Sequence, residues 1–335
     1  MRITRDLLHK FAREHVKKRQ RSDLDLLAAY LTGSLLEEEP LLGGSTDIDL
    51  VLVHKFQTPT PREAIPWTPE VSLDVYHTVQ DAYDQHKQLR HDPWLGYPLT
   101  RNHILLFDTN HWLEFIQAGV SAQFQRPDNV LTRAAGFSGV AREGWFALAA
   151  NSPRDSLTWL NQFLTVLSQG AQAVAALNGP PLTTRRFLLT LSEQTEILGV
   201  PQIYAGVAGL LGAATPDQTA IAAWREALEK DLSSLAETTL PPVHLASCRH
   251  AYYLNAILAL AEGGYPAHAV WPLLRVWLDV RLALAAESSP DTVWEDCLAA
   301  LNLHPEMHEK KTEALDAFLD TVEITLETWA DAYGL

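Results

Sequence analysis

The chain has 335 residues, 47% hydrophobic and 20% charged, which is the composition of an ordinary globular protein and excludes disordered and fibrous classes. At roughly 150 residues per domain it is long enough for two cores. The net charge of −15, from 26 basic and 41 acidic side chains, repels polyanions and argues against a long nucleic-acid footprint, while leaving room for a local basic pocket or for attraction of cationic small molecules.

Cys248 and Cys297 are too far apart in sequence to suggest a disulfide framework or a metal-ligand pair. The opening MRITRDLLHKFAREHVKKRQ lacks the apolar stretch of a signal peptide, and no run of about 18 apolar residues follows that could span a bilayer. A reduced, cytoplasmic setting is expected.

In chain order, residues 4–20 predict an amphipathic helix with Leu7, Leu8, Phe11 and Val16 on one side and a basic solvated face on the other. The tail of LLAAYLTGS (26–34) has strand character before a Gly33-Ser34 turn. After a loop over 35–46, DIDLVLVH (47–54) alternates as a second strand, and Pro59, Pro61, Pro66 and Pro69 mark a further loop before a third strand, VSLDVYH (71–77). A helix is expected over 78–92, a fourth strand over HILLFDT (103–109) and a helix from His111. Asp108, at the strand end, reads as the cap of that helix.

Beyond about residue 127, Leu and Ala recur at helical spacing, interrupted by Gly and Pro, without a fixed repeat period. Trp145, Trp159, Trp224, Trp271 and Trp277 sit in these apolar helices and read as core. The expected fold is therefore α+β: a small mixed-sheet domain over residues 1–126, then an all-helical bundle over residues 127–335.

The chemistry concentrates near residue 47. On a strand alternate side chains share a face, so Asp47 and Asp49 point one way while Ile48 and Leu50 enter the core. Like charges so close call for a cation, and hard oxygen donors without His or Cys match Mg²⁺ rather than zinc. Asp74, between Leu73 and Val75, adds a third carboxylate if its strand lies beside the first. Three carboxylates suit two-metal phosphoryl transfer, with Asp74 a candidate general base. Gly33 lets backbone approach a phosphate, and the Ser34 hydroxyl can donate to its oxygens.

Leu31-Thr32-Gly33-Ser34, the 35–46 spacer and Asp47-Ile48-Asp49-Leu50 together resemble the nucleotidyltransferase superfamily with the DNA polymerase β type of catalytic core. Its pattern is an apolar residue, Gly and Gly or Ser, a spacer of about nine to thirteen residues, then two acidic residues alternating with apolar ones; Thr32 departs from it at the apolar place. Gly44-Ser45-Thr46-Asp47 is similar to the run that precedes the first carboxylate in many members, and Leu105-Leu106-Phe107-Asp108 to the last core strand. The resemblance covers about the first third of the chain. It implies Asp47, Asp49 and Asp74 as catalytic metal ligands, Mg²⁺ as cofactor, and Gly33, Ser34 and Ser45 as contacts to a nucleoside triphosphate, ATP above all.

Arg249, in CRHAYY at the start of an apolar helix, is one candidate for the triphosphate, and the Arg185-Arg186 pair is another; an ordinary helix-surface arginine is the plainer reading of each. The sheet-then-bundle layout is similar to that of aminoglycoside adenylyltransferases, which implies transfer of AMP from ATP to a hydroxyl of a small molecule, an aminoglycoside being one candidate acceptor. The alternatives are nucleotidylylation of a protein partner, as in antitoxin-type members, or a regulator that binds nucleotide without turnover. Addition to RNA is disfavoured by the negative charge.

Overall fold

The computed structural model describes residues 3–37, 39–58, 60–100, 104–153, 155–237, 241–284 and 292–335. Pro59 of the expected loop, His103 of the expected fourth strand and the 285–287 end of one expected helix lie outside the described residues. The chain forms two compact units. One comprises Met1–Asn129 and Pro242–Asn255, the other Val130–Pro241 and Ala256–Leu335. Among the described residues no helix is long and apolar enough to cross a membrane.

The architecture is α+β, a mixed sheet followed by a mostly helical region. The first unit holds five strands: β1 (Leu26–Thr32), β2 (Thr46–His54), β3 (Arg62–Thr68), β4 (Val71–Val79) and β5 (Leu105–Asp108), in the order β3-β4-β2-β1-β5. β2 and β4 run parallel, and the other neighbours pair antiparallel. Strand β3 corrects the expected proline loop. Pro66 lies in it opposite Ser72, at the sheet edge, where one side of the strand needs no ladder donor and a missing N–H is tolerated.

The helix expected over 78–92 also differs. The β-branched Thr78 and Val79 prolong β4, a short 3-10 turn occupies Gln80–Tyr83, and only α2 (His86–His91) is α-helical there. Asp92 precedes Pro93, which disfavours helical backbone at residue 92, and its carboxylate instead caps α3 (Pro93–Gly96) by accepting from the amides of Trp94 and Leu95 at 2.8 and 2.9 Å.

Helix α1 (Arg5–Ser22) buries Leu8, Ala12 and Val16, one stripe at four-residue spacing, and the Thr4 hydroxyl caps it by accepting from the Leu7 amide. In α4 (Trp112–Phe124), the Asp108 carboxylate accepts from the amides of Leu113 and Glu114 at 2.9 and 3.0 Å, so it does act as a cap. The even-numbered residues Ile48, Leu50 and Leu52 of β2 are almost fully buried, as are Leu73 and Val75 of β4. His54 and His77 continue that face, joined ring to ring at 2.9 Å between Nε2 and Nδ1. His54 Nδ1 faces Asp23 at 3.2 Å and His77 Nε2 faces Glu63 at 3.2 Å. Arg19 of α1 also reaches Glu63, at 2.5 Å.

The second unit contains α6 (Ser156–Ala175), α7 (Phe187–Leu198), α8 (Pro201–Leu210), α9 (Gln218–Ala236), α11 (Pro266–Leu284), α12 (Thr292–Ala300) and α13 (His308–Ala332), together with most of α5 (Pro127–Ala150) and the latter part of α10 (His250–Glu262). α13 packs on α6 and α8, and α11 packs on α9 and α7. Trp159, Trp224, Trp271 and Trp277 are buried, while Trp145 is half-buried with its indole N–H on the Thr312 carbonyl. Arg142 of α5 spans three carboxylates along α13, those of Asp316, Asp320 and Glu323, at 2.5, 2.7 and 2.8 Å.

Burial lowers the pKa of His77, against the raising effect of Glu63, and that of His15. A depressed imidazole value means the unfolded chain binds more protons just below the ordinary value of 6.5, so the stability these rings contribute is present above that value and is lost as pH falls through the folded one. The melting temperature should therefore drop between about pH 7.5 and about pH 5.5. In His77→Gln the drop should be shallower; an identical slope would show that His77 takes no part.

Candidate functional site

The three aspartates picked out in the sequence converge. Asp47 and Asp49 alternate with the fully buried Ile48 and Leu50 on β2, and Asp49 is the direct register partner of Asp74 on the parallel strand β4, so the three carboxyl groups share one face. One oxygen from each lies within 4.8 Å of the others. Asp47 and Asp74 are buried and Asp49 is half-buried. At 4.8 Å a pair of carboxylates repels by about 3–4 kcal/mol for an effective dielectric constant near 20. Three such pairs approach the whole net stability of a domain, about 5–15 kcal/mol, so cations are required.

Two guanidinium groups supply them. Arg62, from the edge strand β3, donates from Nε to Asp74 Oδ1 at 2.7 Å and from Nη2 to Oδ2 at 2.5 Å, a planar fork matched to a carboxylate. Arg249 donates from Nη2 to Asp47 Oδ2 at 2.9 Å and from Nη1 to Asp74 Oδ2, bridging the two strands. It is buried, contrary to the helix-surface reading of its sequence context, and its guanidinium carbon lies 5.1 Å from the ring centroid of Tyr252 and 5.8 Å from that of Tyr253. Two polar atoms in this cluster are buried without a hydrogen-bond partner: Asp47 Oδ1 and Arg249 Nε.

The three carboxyls titrate differently as a result. Burial, then the charges of Asp47 and Asp74, push Asp49 well above the usual carboxylate range; among the described residues no salt bridge reaches it. Burial works to raise Asp74 as well, but its bonds to Arg62 and Arg249 outweigh that and hold it low. Burial works to lower Arg249, yet the neighbouring Asp47 and Asp74 charges help to carry its net pKa above the ordinary arginine value.

Gly33 begins a short 3-10 turn, Gly33–Leu36, directly after β1, with φ of +68°. A Cβ placed there would lie 1.7 Å from Asp49 Oδ2. The glycine thus makes room for the Asp49 carboxyl, a tertiary role that the Gly-Ser motif does not announce. The Ser34 hydroxyl lies 3.1 Å from that of Thr46 at the start of β2. Ser45 is fully buried, with its hydroxyl 3.2 Å from the Leu42 carbonyl and 3.3 Å from that of Ala251. Ser45 therefore ties the loop before β2 to the Pro242–Asn255 segment. Gly43, with φ of +63°, allows the same approach: a Cβ on it would lie 2.1 Å from the Asn255 carbonyl oxygen.

Arg62 carries no signal in the sequence, because Pro61 and Pro66 hide the alternation of β3. Arg185 is buried within the second unit.

No protein-family model and no curated protein matches the chain. Among solved structures the chain is similar to a nucleotidyltransferase-like protein from Exiguobacterium sibiricum 255-15, with 11% sequence identity and a TM-score of 0.31 over 93% of this chain and 91% of that one. The chemistry of this chain is therefore read from its own side chains.

Gly33→Ala should strain the left-handed backbone, at about 1–2 kcal/mol for a non-glycine residue, and displace Asp49 as well. We expect a clear loss in chemical-denaturation stability. A variant as stable as the parent would show that Asp49 does not depend on this approach.

Proposed function

We propose that the first unit is the catalytic part of a metal-dependent nucleotidyltransferase that moves a nucleoside monophosphate, AMP from ATP, onto a hydroxyl of a small molecule. The observation that carries this reading is the convergence of Asp47, Asp49 and Asp74 from adjacent parallel strands, with ligand atoms within 4.8 Å. The donor set is all oxygen, which suits Mg²⁺, and the buried, unpartnered Oδ1 of Asp47 is an acceptor that a cation would satisfy. Asp47, Asp49 and Asp74 would hold the metal, which when bound lowers the pKa of an attacking hydroxyl and offsets charge on the leaving pyrophosphate.

The chain's own groups do the rest. Arg249, whose Nε is buried without an acceptor, grips phosphate oxygens, with Gly33 and Ser34 at the turn beside Asp49. Ser45 contributes by fixing the loop before β2 through its bonds to the Leu42 and Ala251 carbonyls. In this state the bonds from Arg62 and Arg249 hold the Asp74 pKa low, which suits a metal ligand; service as general base, which its position also allows, would need those bonds to loosen.

The helical part, from about residue 127 onward, is proposed to choose the acceptor. The strongly acidic chain favours a polycationic one, with aminoglycosides as the first class to test. A nucleotide-binding regulator without turnover is the second reading, favoured by the two guanidiniums that already pair with Asp47 and Asp74.

Incubation with ATP, Mg²⁺ and a panel of aminoglycosides should release pyrophosphate and add the mass of AMP to one of them. Asp49→Asn should reduce that release by about a hundredfold or more, the scale expected for loss of one preorganised electrostatic contact. Nucleotide binding with no pyrophosphate from any acceptor would favour the regulator, and full activity in Asp49→Asn would reject the metal assignment.

A further inference from the structure

The two orphaned atoms at the triad belong to opposite kinds of group. Asp47 Oδ1 lacks a donor or cation, and Arg249 Nε lacks an acceptor. Arg249 meanwhile uses its two terminal nitrogens on Asp47 Oδ2 and Asp74 Oδ2, oxygens of two of the three carboxylates suited to a metal. A divalent cation entering beside these oxygens would face the positive guanidinium at close range in a buried setting, where screening is weak. Arg62 adds a second positive group on Asp74, so three carboxylates and two guanidiniums leave only one net negative charge to attract a free dication.

We propose that Arg249 is an internal counter-ion that excludes free divalent cations from the triad, and that a triphosphate releases it, so that metal and nucleoside triphosphate bind only together. This rests on the nucleotidyltransferase reading and adds its order of assembly. The triphosphate contributes what the guanidinium lacks, an anionic acceptor for Nε as well as for the terminal nitrogens, and Arg–phosphate pairing is bidentate and strong. Once the guanidinium turns to the phosphate, Oδ2 of Asp47 is freed beside its unpartnered Oδ1, and Oδ2 of Asp74, which still accepts from Arg62 Nη2, regains one lone-pair site for a metal. Tyr252 and Tyr253, whose rings flank the guanidinium at 5.1 and 5.8 Å, give it an aromatic wall along which to move without losing its favourable contacts. The result is a site whose occupancy tracks the metal–nucleotide complex and not the free metal.

Equilibrium dialysis of the full chain with Mn²⁺ tests this without relying on turnover. Wild type should take up Mn²⁺ alone at least tenfold more weakly than it does in the presence of a nonhydrolysable ATP analogue at equal concentration in both chambers. Arg249→Met should bind Mn²⁺ alone at least tenfold more tightly than wild type, yet bind the analogue at least tenfold more weakly. Wild type that binds Mn²⁺ alone as tightly as Arg249→Met, or as tightly as in the presence of the analogue, would overturn the proposal while leaving the nucleotidyltransferase reading intact. Failure of wild type to bind the analogue at all, with Mn²⁺ present, would overturn that reading itself. Should Arg249→Met not fold, wild type still decides: tripolyphosphate, which carries no base, should promote Mn²⁺ uptake as the analogue does, and its failure to do so would overturn the release of Arg249 by phosphate.

Discussion

Crowding of like charge on one face of the sheet is the constraint to which the first unit is built. Asp47, Asp49 and Asp74 come within 4.8 Å of one another, and the repulsion among them is large on the scale of domain stability. Buried charges persist only when paired and hydrogen-bonded. The unit meets this for Asp47 and Asp74 by bringing Arg62 from the edge strand and Arg249 from a segment 175 residues beyond Asp74, while Asp49 has its pKa pushed up. The first unit is completed by that distant segment, Pro242–Asn255.

Several local features follow from holding this cluster. The parallel pairing of β2 with β4 places Asp49 directly opposite Asp74, and the buried Ile48, Leu50, Leu73 and Val75 anchor both strands from the other face. Gly33 has no side chain because Asp49 occupies the space one would need, and Gly43 has none because the Asn255 backbone does. The Ser45 hydroxyl sits within 3.3 Å of the Ala251 carbonyl, near the start of α10. These are close approaches that fix where Arg249 can stand. The opposite face solves a milder version of the same problem, with the His54–His77 pair set between Asp23 and Glu63.

The second unit rests on different physics. Its helices bury Leu, Ala and Trp side chains on contiguous stripes, and Trp159 and Trp277 are fully enclosed. The three-carboxylate clasp of Arg142 along α13 spans two helical turns, so a single guanidinium ties α5 to α13 where many separate surface pairs would contribute little. Pairing of Trp277 Nε1 with Asp231 at 2.8 Å shows the same economy, a buried aromatic satisfied by one acidic partner.

The sequence by itself determined the α+β class, the strand positions of the three aspartates and the shared face of Asp47 and Asp49, because a two-residue alternation between charged and apolar side chains has only one comfortable arrangement on a sheet. It also placed Trp159, Trp224, Trp271 and Trp277 in helical cores and Asp108 at a helix start, whereas Trp145, read the same way, is only half-buried. It could not show β3, since edge pairing is what excuses Pro66 and an edge is a property of the assembled sheet. The tertiary structure alone decided that Arg249 is buried between Asp47 and Asp74, that Arg62 shares the load, and that Gly33 yields its space to a carboxylate. Those facts depend on which remote segments meet, and local periodicity carries no record of that.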